Sequence, residues 1–148
     1  MIWSVAGKLG ERGDSFFVVT VAGVGFKVCA HERYLHRLPR AGSDAAVFTH
    51  LYVRDDAFEL YGFETREELE FFALLNSVAG VGPKSALAVL GVADLVELKA
   101  AIQESRPDLL TRASGIGRKT AERIVLELKG RVVAARAAGI TAQMESDA

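Results

Sequence analysis

The chain is poor in cysteine, proline and net charge, and each shortage narrows what it can be. A single cysteine, Cys29, leaves no disulfide framework and no cysteine-based zinc site, and it fits a reducing, cytoplasmic setting. His31, His36 and His50 are scattered without metal-ligand spacing, so neither a metal nor a cofactor is expected. A formal net charge of −1 over 148 residues excludes a generally basic chain; any polyanion must be held by a local patch. No apolar run approaches the length of a membrane span, and residues 1–20 lack a signal-peptide pattern, so no membrane partner is expected. Of three prolines, Pro83 and Pro107 stand where helices are expected to open.

Half of the residues are hydrophobic, enough for one or two small cores. The periodicity changes near residue 63. Before it, segments 2–9, 15–22, 25–31, 46–54 and 57–63 are rich in Val, Phe, Thr and Tyr, with glycine and acidic punctuation between them. In the fourth, Val47, Thr49, Leu51 and Val53 share one face. Five short strands in this span predict a small closed sheet, with an OB-fold barrel favoured over a sandwich or an SH3-like barrel. After residue 63 the pattern is helical. Thr65 and Glu68 have capping-box spacing, and Phe71, Leu75 and Val78 form a stripe. Shorter helices are expected at 83–90, 93–104 and 107–113. A last helix starts near 118, with Ala121, Ile124, Val125 and Leu128 inward. The fold class is therefore two-domain, β then α: a barrel over 1–63 and an all-α domain over 64–135. Residues 136–148 read as a flexible linker or tail.

Two stretches repeat thirty-five positions apart: Gly80-Val81-Gly82-Pro83-Lys84-Ser85-Ala86 and Gly115-Ile116-Gly117-Arg118-Lys119-Thr120-Ala121. Each joins one expected helix to the next. Glycine turns the chain tightly and lets a ligand approach the backbone closely. The apolar residue between the glycines can anchor the turn from beneath. The helix that follows begins with unpaired N–H groups and a partial positive charge, which together make an anion site. Glycine ends many helices, and lysine in a first turn is common, so one such turn is most simply structural. Two in register weigh the other way, because each puts a cation where a helix itself prefers an anion.

The spacing fails the nucleotide P-loop pattern, since Pro83 or Arg118 separates glycine from lysine and a helix precedes. The stretch "GVGFKV" at 23–28 fails the dinucleotide pattern and reads as a β-turn. Two equivalent phosphate sites suit the two strands of duplex nucleic acid, read by shape rather than by sequence. Locally, Arg112, Arg118, Lys119, Arg123, Lys129 and Arg131 outnumber Glu122 and Glu127 within 111–131, a net +4. The candidate phosphate-binding residues are thus Gly80, Val81, Gly82, Lys84, Ser85, Gly115, Ile116, Gly117, Arg118, Lys119, Thr120 and Arg123.

The repeated stretches resemble helix-hairpin-helix motifs. The order of "MIWSVAGKL", "VAGVGFKV", "VFTHLYVRDDAFELYGF", "LNSVAGVGPKSALAVL" and "SGIGRKTAERIVLELKGR" resembles the RuvA family of Holliday-junction-binding subunits over roughly residues 1–135. That resemblance implies an OB-fold domain and a domain with two helix-hairpin-helix motifs. It also implies a homotetramer, or an octamer on DNA, that holds a four-way junction open. In the family a third domain follows a linker and contacts a RuvB-type ATPase; this sequence stops before it, as a truncated chain would. The chain itself is expected to be non-catalytic, without an ATP site. The family's acidic pin maps onto Asp55 and Asp56, which the residues alone would rate as turn formers.

Two other classes compete with this reading. A helix-hairpin-helix glycosylase needs an aspartate well past its hairpin, and none follows Asp108 before Asp147. A metal-dependent nuclease would have Asp55, Asp56 and, as a third carboxylate, Glu59. A single-strand-binding OB module would stack bases on Trp3, Phe17, Tyr52 and Tyr61, although their alternation places most of them in a core.

Overall fold

The computed structural model describes residues 1–146, with side chains described through Val132. The chain divides into two compact units, Met1–Ala73 and Leu74–Ala148.

The first unit is a closed five-stranded barrel. Its strands are β1 (Ser4–Arg12), β2 (Phe16–Val21), β3 (Val24–Cys29), β4 (Asp44–Val53) and β5 (Phe58–Phe63), in the order β1-β2-β3-β5-β4. β3 and β5 pair in parallel while every other pair is antiparallel, the OB-like arrangement. Alternation drives it: in β2, Phe17 and Val19 are fully buried, and they join Val5, Leu9, Val28, Val47 and Leu60 in one core. β2 and β3 are joined through Ala22 and Gly23, both at positive φ, so the expected turn is a two-residue hairpin loop.

One element has no counterpart in the sequence reading. Residues Glu32–Arg37 form a short helix, α1, between β3 and β4. Its cap is His31, whose Nδ1 accepts the Tyr34 N–H at 3.1 Å. Histidine is not among the preferred capping residues, and six residues are too few to show a stripe.

Helix α2 (Arg66–Asn76) starts as its capping signal predicts, with Thr65 Oγ1 accepting the Glu68 N–H at 3.2 Å. The Glu68 carboxylate reaches back to the Glu64 N–H at 3.2 Å and approaches His31 Nε2 at 3.5 Å. Phe71 and Phe72 are buried, and the Phe72 ring lies 4.8 Å from Phe63 and 5.6 Å from Tyr61, so the front of α2 belongs to the barrel unit.

The second unit holds α3 (Pro83–Val92), α4 (Leu95–Gln103) and α5 (Arg118–Ser146). Residues 107–113, expected as a helix, form only a 3-10 turn at Leu110–Arg112. Its bonds mix two spacings: Leu110 and Thr111 N–H both donate to the Pro107 carbonyl, and buried Leu110 and Ala113 pin the turn. The stretch 136–148, read as a linker or tail, is helical as far as Ser146, and residues 147–148 lie outside the described residues. Its alanines favour helix without forming an apolar stripe, so periodicity alone could not detect it. Among the described residues no helix is long and apolar enough to cross a membrane.

Candidate nucleic-acid interface

The two repeated turns have the same backbone geometry. Gly80 and Gly115 take φ of +87° and +84°, which only glycine adopts cheaply. In the first turn the Val81 N–H donates to Val78 at 3.1 Å and the Ala86 N–H to Gly82 at 2.9 Å. In the second, the Ile116 N–H donates to Ala113 at 3.2 Å and the Ala121 N–H to Gly117 at 2.9 Å. Val81 and Ile116 are buried at 5% and 4% exposure, so each anchors its turn from beneath as expected. With their side chains buried, only their backbone is left to meet a ligand.

The second glycines differ from the first. Gly82 has φ −84° and ψ 175°, open to any residue, and a Cβ added there or at Gly117 would meet no atom within 4 Å. Neither conformation nor packing inside the chain demands glycine at these two positions. The space a side chain would take is open at both.

Other helices show what is omitted here. The α4 start is capped by the Asp94 carboxylate, which accepts the Glu97 N–H at 2.9 Å. The α2 start has Thr65, Glu67 and Glu68. α3 and α5 follow glycines and have no acidic residue in the first turn. Their leading N–H groups therefore lack side-chain acceptors, and exposed Lys84 and Lys119 stand beside them.

The hairpins also pack on one another reciprocally. A Cβ on Gly115 would lie 2.7 Å from Ser85 Oγ, and one on Gly80 would lie 3.9 Å from Thr120 Oγ1. Half-buried Ser85 and Thr120 thus each face the other hairpin, and this exchange brings the two hairpins together. Their hydroxyls are less open to a ligand than the sequence suggests; their backbone N–H groups are what the sites present.

Not every expected cation is free. Arg118 Nε donates to Glu122 Oε1 at 2.9 Å, and its Nη1 donates to Asp108. The Glu122 hydrogen bond, then that of Asp108, pushes the guanidinium pKa still higher. Arg123 Nε donates to Glu127 Oε1 at 3.0 Å, one turn along the same helix. Of the six cations, Arg112, Lys119, Lys129 and Arg131 therefore have no carboxylate partner among the described residues, with Lys84 supplied by α3. Lys129 Nζ and Arg131 Nη1 donate to the hydroxyls of Ser105 and Ser77. Sequence spacing could have revealed the two i,i+4 pairs. The Asp108 contact needs the turn between α4 and α5.

Asp55 and Asp56 occupy the tip of the β4–β5 hairpin, closed by the Arg54 N–H donating to Ala57 O at 2.8 Å. Both are exposed, and neither has an ion-pair partner among the described residues. Beside them Val53 and Phe58 are 60% and 77% exposed. Glu59, the third carboxylate of a nuclease reading, accepts from Arg54 at 3.0 Å and from the Tyr61 hydroxyl at 2.7 Å. Among the described residues no three His, Cys, Asp or Glu side chains are grouped as a metal would need. The stacking platform of a single-strand reading is also depleted. Phe17 and Tyr61 are buried in the barrel, and Tyr52 is half-buried. Trp3 is 54% exposed, with the Arg66 guanidinium 5.6 Å from its ring centre.

Residues 1–62 match the family model described as RuvA N terminal domain, and residues 72–130 match SAM-like Helix-hairpin-helix tandem. Similar proteins bear the name Holliday junction branch migration complex subunit RuvA. That of Caldanaerobacter subterraneus subsp. tengcongensis is 41% identical over 132 residues, covering 89% of this chain and 71% of that protein. That of Symbiobacterium thermophilum is 44% identical over 139 residues, covering 94% and 68%. That of Dehalococcoides mccartyi is 41% identical over 144 residues, covering 97% and 74%. With two matched hairpins behind a closed OB-like barrel, and with relatives this similar over most of their own length, the chain belongs to the RuvA family.

Proposed function

We propose that this chain binds four-way junction DNA through its sugar-phosphate backbone, without sequence preference, as a non-catalytic subunit of a branch-migration assembly in recombination and repair. Its partners are junction and duplex DNA, further copies of itself in a homotetramer, and a RuvB-type ATPase that supplies the motor. One observation carries the reading: Gly82 and Gly117 are glycines that nothing inside the protein requires, each opening an acid-free helix start with a lysine on its first turn. A phosphate oxygen accepts from the exposed N–H groups of Lys84 and Ser85 in one hairpin, and of Lys119 and Thr120 in the other. The first glycines, Gly80 and Gly115, with Val81 and Ile116, set the turn. Arg118 and Arg123 lie at the rim, held by carboxylates.

Asp55 and Asp56 act as the acidic pin. Two unit charges at 4 Å repel by only about 1 kcal/mol in water, but by about 4 kcal/mol at the effective dielectric near a protein surface. Carboxylates on an exposed tip, meeting phosphates crowded at a crossover, therefore disfavour continuous duplex there.

The test is a gel-shift competition between a synthetic four-way junction and linear duplex of equal length, with native mass measured on the same samples. Preference for the junction by a species of four chains is expected. Equal affinity for the two DNAs overturns the reading.

A further inference from the structure

The two hairpins differ in charge at one matched position: Pro83 opens α3, whereas Arg118 opens α5. Left free, Arg118 would give the second hairpin two cations against one in the first. The fold cancels it. Asp108, from the turn after α4, and Glu122, one helical turn along α5, hold the guanidinium on two edges. The three side chains together carry one net negative charge. Lys84 and Lys119 then remain, at the matched position of each hairpin, without an ion-pair partner among the described residues, with exposed Arg112 ahead of the second turn.

We propose that Asp108 and Glu122 are specificity-determining residues, which neutralise Arg118 and so hold down the part of the DNA affinity that does not depend on DNA shape. This rests on the phosphate-binding reading above and deepens it. Every extra free cation adds affinity for any nucleic acid, because each phosphate it neutralises releases counterions regardless of DNA shape. A protein with one strong and one weak site is satisfied by any phosphate at the strong one. Modest sites bind well only when many are filled at once, and the four arms of a junction engage more of the assembled copies together than a linear duplex does. Asp108 and Glu122 thus lower duplex affinity in exchange for discrimination. Each exposed ion pair is individually weak, so the effect comes from placing two carboxylates on one guanidinium.

The experiment titrates linear duplex and four-way junction across a salt series with the intact chain and with Asp108→Asn plus Glu122→Gln. The double variant is expected to bind duplex roughly tenfold more tightly at low salt, with a salt slope steeper by about one and a narrower junction preference. Adding Arg118→Ala to the double variant should return slope and preference to those of the parent. An unchanged slope in the double variant overturns the proposal. So does a gain that persists without Arg118, because carboxylate repulsion rather than a released arginine would then explain it. Lys84→Ala and Lys119→Ala are measured alongside. If neither lowers the slope, the hairpins hold no phosphate, and the underlying reading fails together with this one.

Discussion

Each hairpin contains two glycines doing different physical work. Gly80 and Gly115 sit at positive φ, where an L side chain costs roughly 1–2 kcal/mol, and at Gly115 a side chain would also meet Ser85 Oγ. Gly115→Ala should therefore lower the melting temperature. Gly82→Val and Gly117→Val should leave melting nearly unchanged while weakening DNA binding about tenfold or more, because the new side chain meets only the incoming phosphate. Thermal melts and binding isotherms on the three variants separate the two roles; a Gly117→Val protein that melts early yet binds normally would contradict the assignment.

Glu68 makes a second prediction at this scale. Burial pushes its carboxyl up, but the His31 hydrogen bond and charge, the Glu64 N–H and the Arg37 guanidinium together hold it below the ordinary carboxylate value. A depressed folded-state pKa contributes stability that is present above the unfolded value of about 4.3 and is lost as pH falls through the folded one. Glu68→Gln should cost about 1–3 kcal/mol at neutral pH and flatten the acid limb of a stability-versus-pH curve. An acid limb as steep as the parent's would show that another group governs it.

At the scale of elements, the hairpins work as a pair because each contributes a hydroxyl side chain to the space beside the other's first glycine, Ser85 toward Gly115 and Thr120 toward Gly80. The β4–β5 hairpin works differently, by holding charge out. The Arg54 N–H bond to Ala57 closes the loop tightly enough that Asp55 and Asp56 project at its tip. Asp55→Asn with Asp56→Asn should raise duplex affinity more than junction affinity and so reduce the preference between them, as a competition titration would report. Elements also mark where sequence reading stops. The Thr65–Glu68 signal located the start of α2 because capping is local chemistry. The α1 helix has no local start signal because its cap is a histidine, positioned by a buried contact with Glu68 thirty-seven residues away. The segment at 107–113 looked like a helix from its leading proline, but its chain is turned by Pro107 and pinned by Leu110 within one 3-10 turn.

For the whole molecule, a net charge of −1 means that DNA affinity cannot come from the overall field and must be sensitive to a few contacts. Counting cations along 111–131 suggests a strong salt dependence. Pairing of Arg118 and Arg123 with carboxylates reduces it, so the slope contributed by this stretch should correspond to about four phosphates per chain, not six. Lys84→Ala and Lys119→Ala should each lower that slope by about one, on junction and duplex alike. A slope near six would mean that the ion pairs open on DNA.

The amino-acid sequence alone determined the succession of a strand-rich half and a helical half, and the two hairpins with their glycines and lysines. Those features depend on periodicity, capping and backbone freedom, which act between residues close in the chain. Only the tertiary structure decided which glycines are conformational and which are merely open, that Ser85 and Thr120 face the opposite hairpin, and that Arg118 is neutralised by Asp108. These depend on which groups meet once the chain has turned back on itself, and a charge read along a sequence carries no record of the partner that cancels it in space.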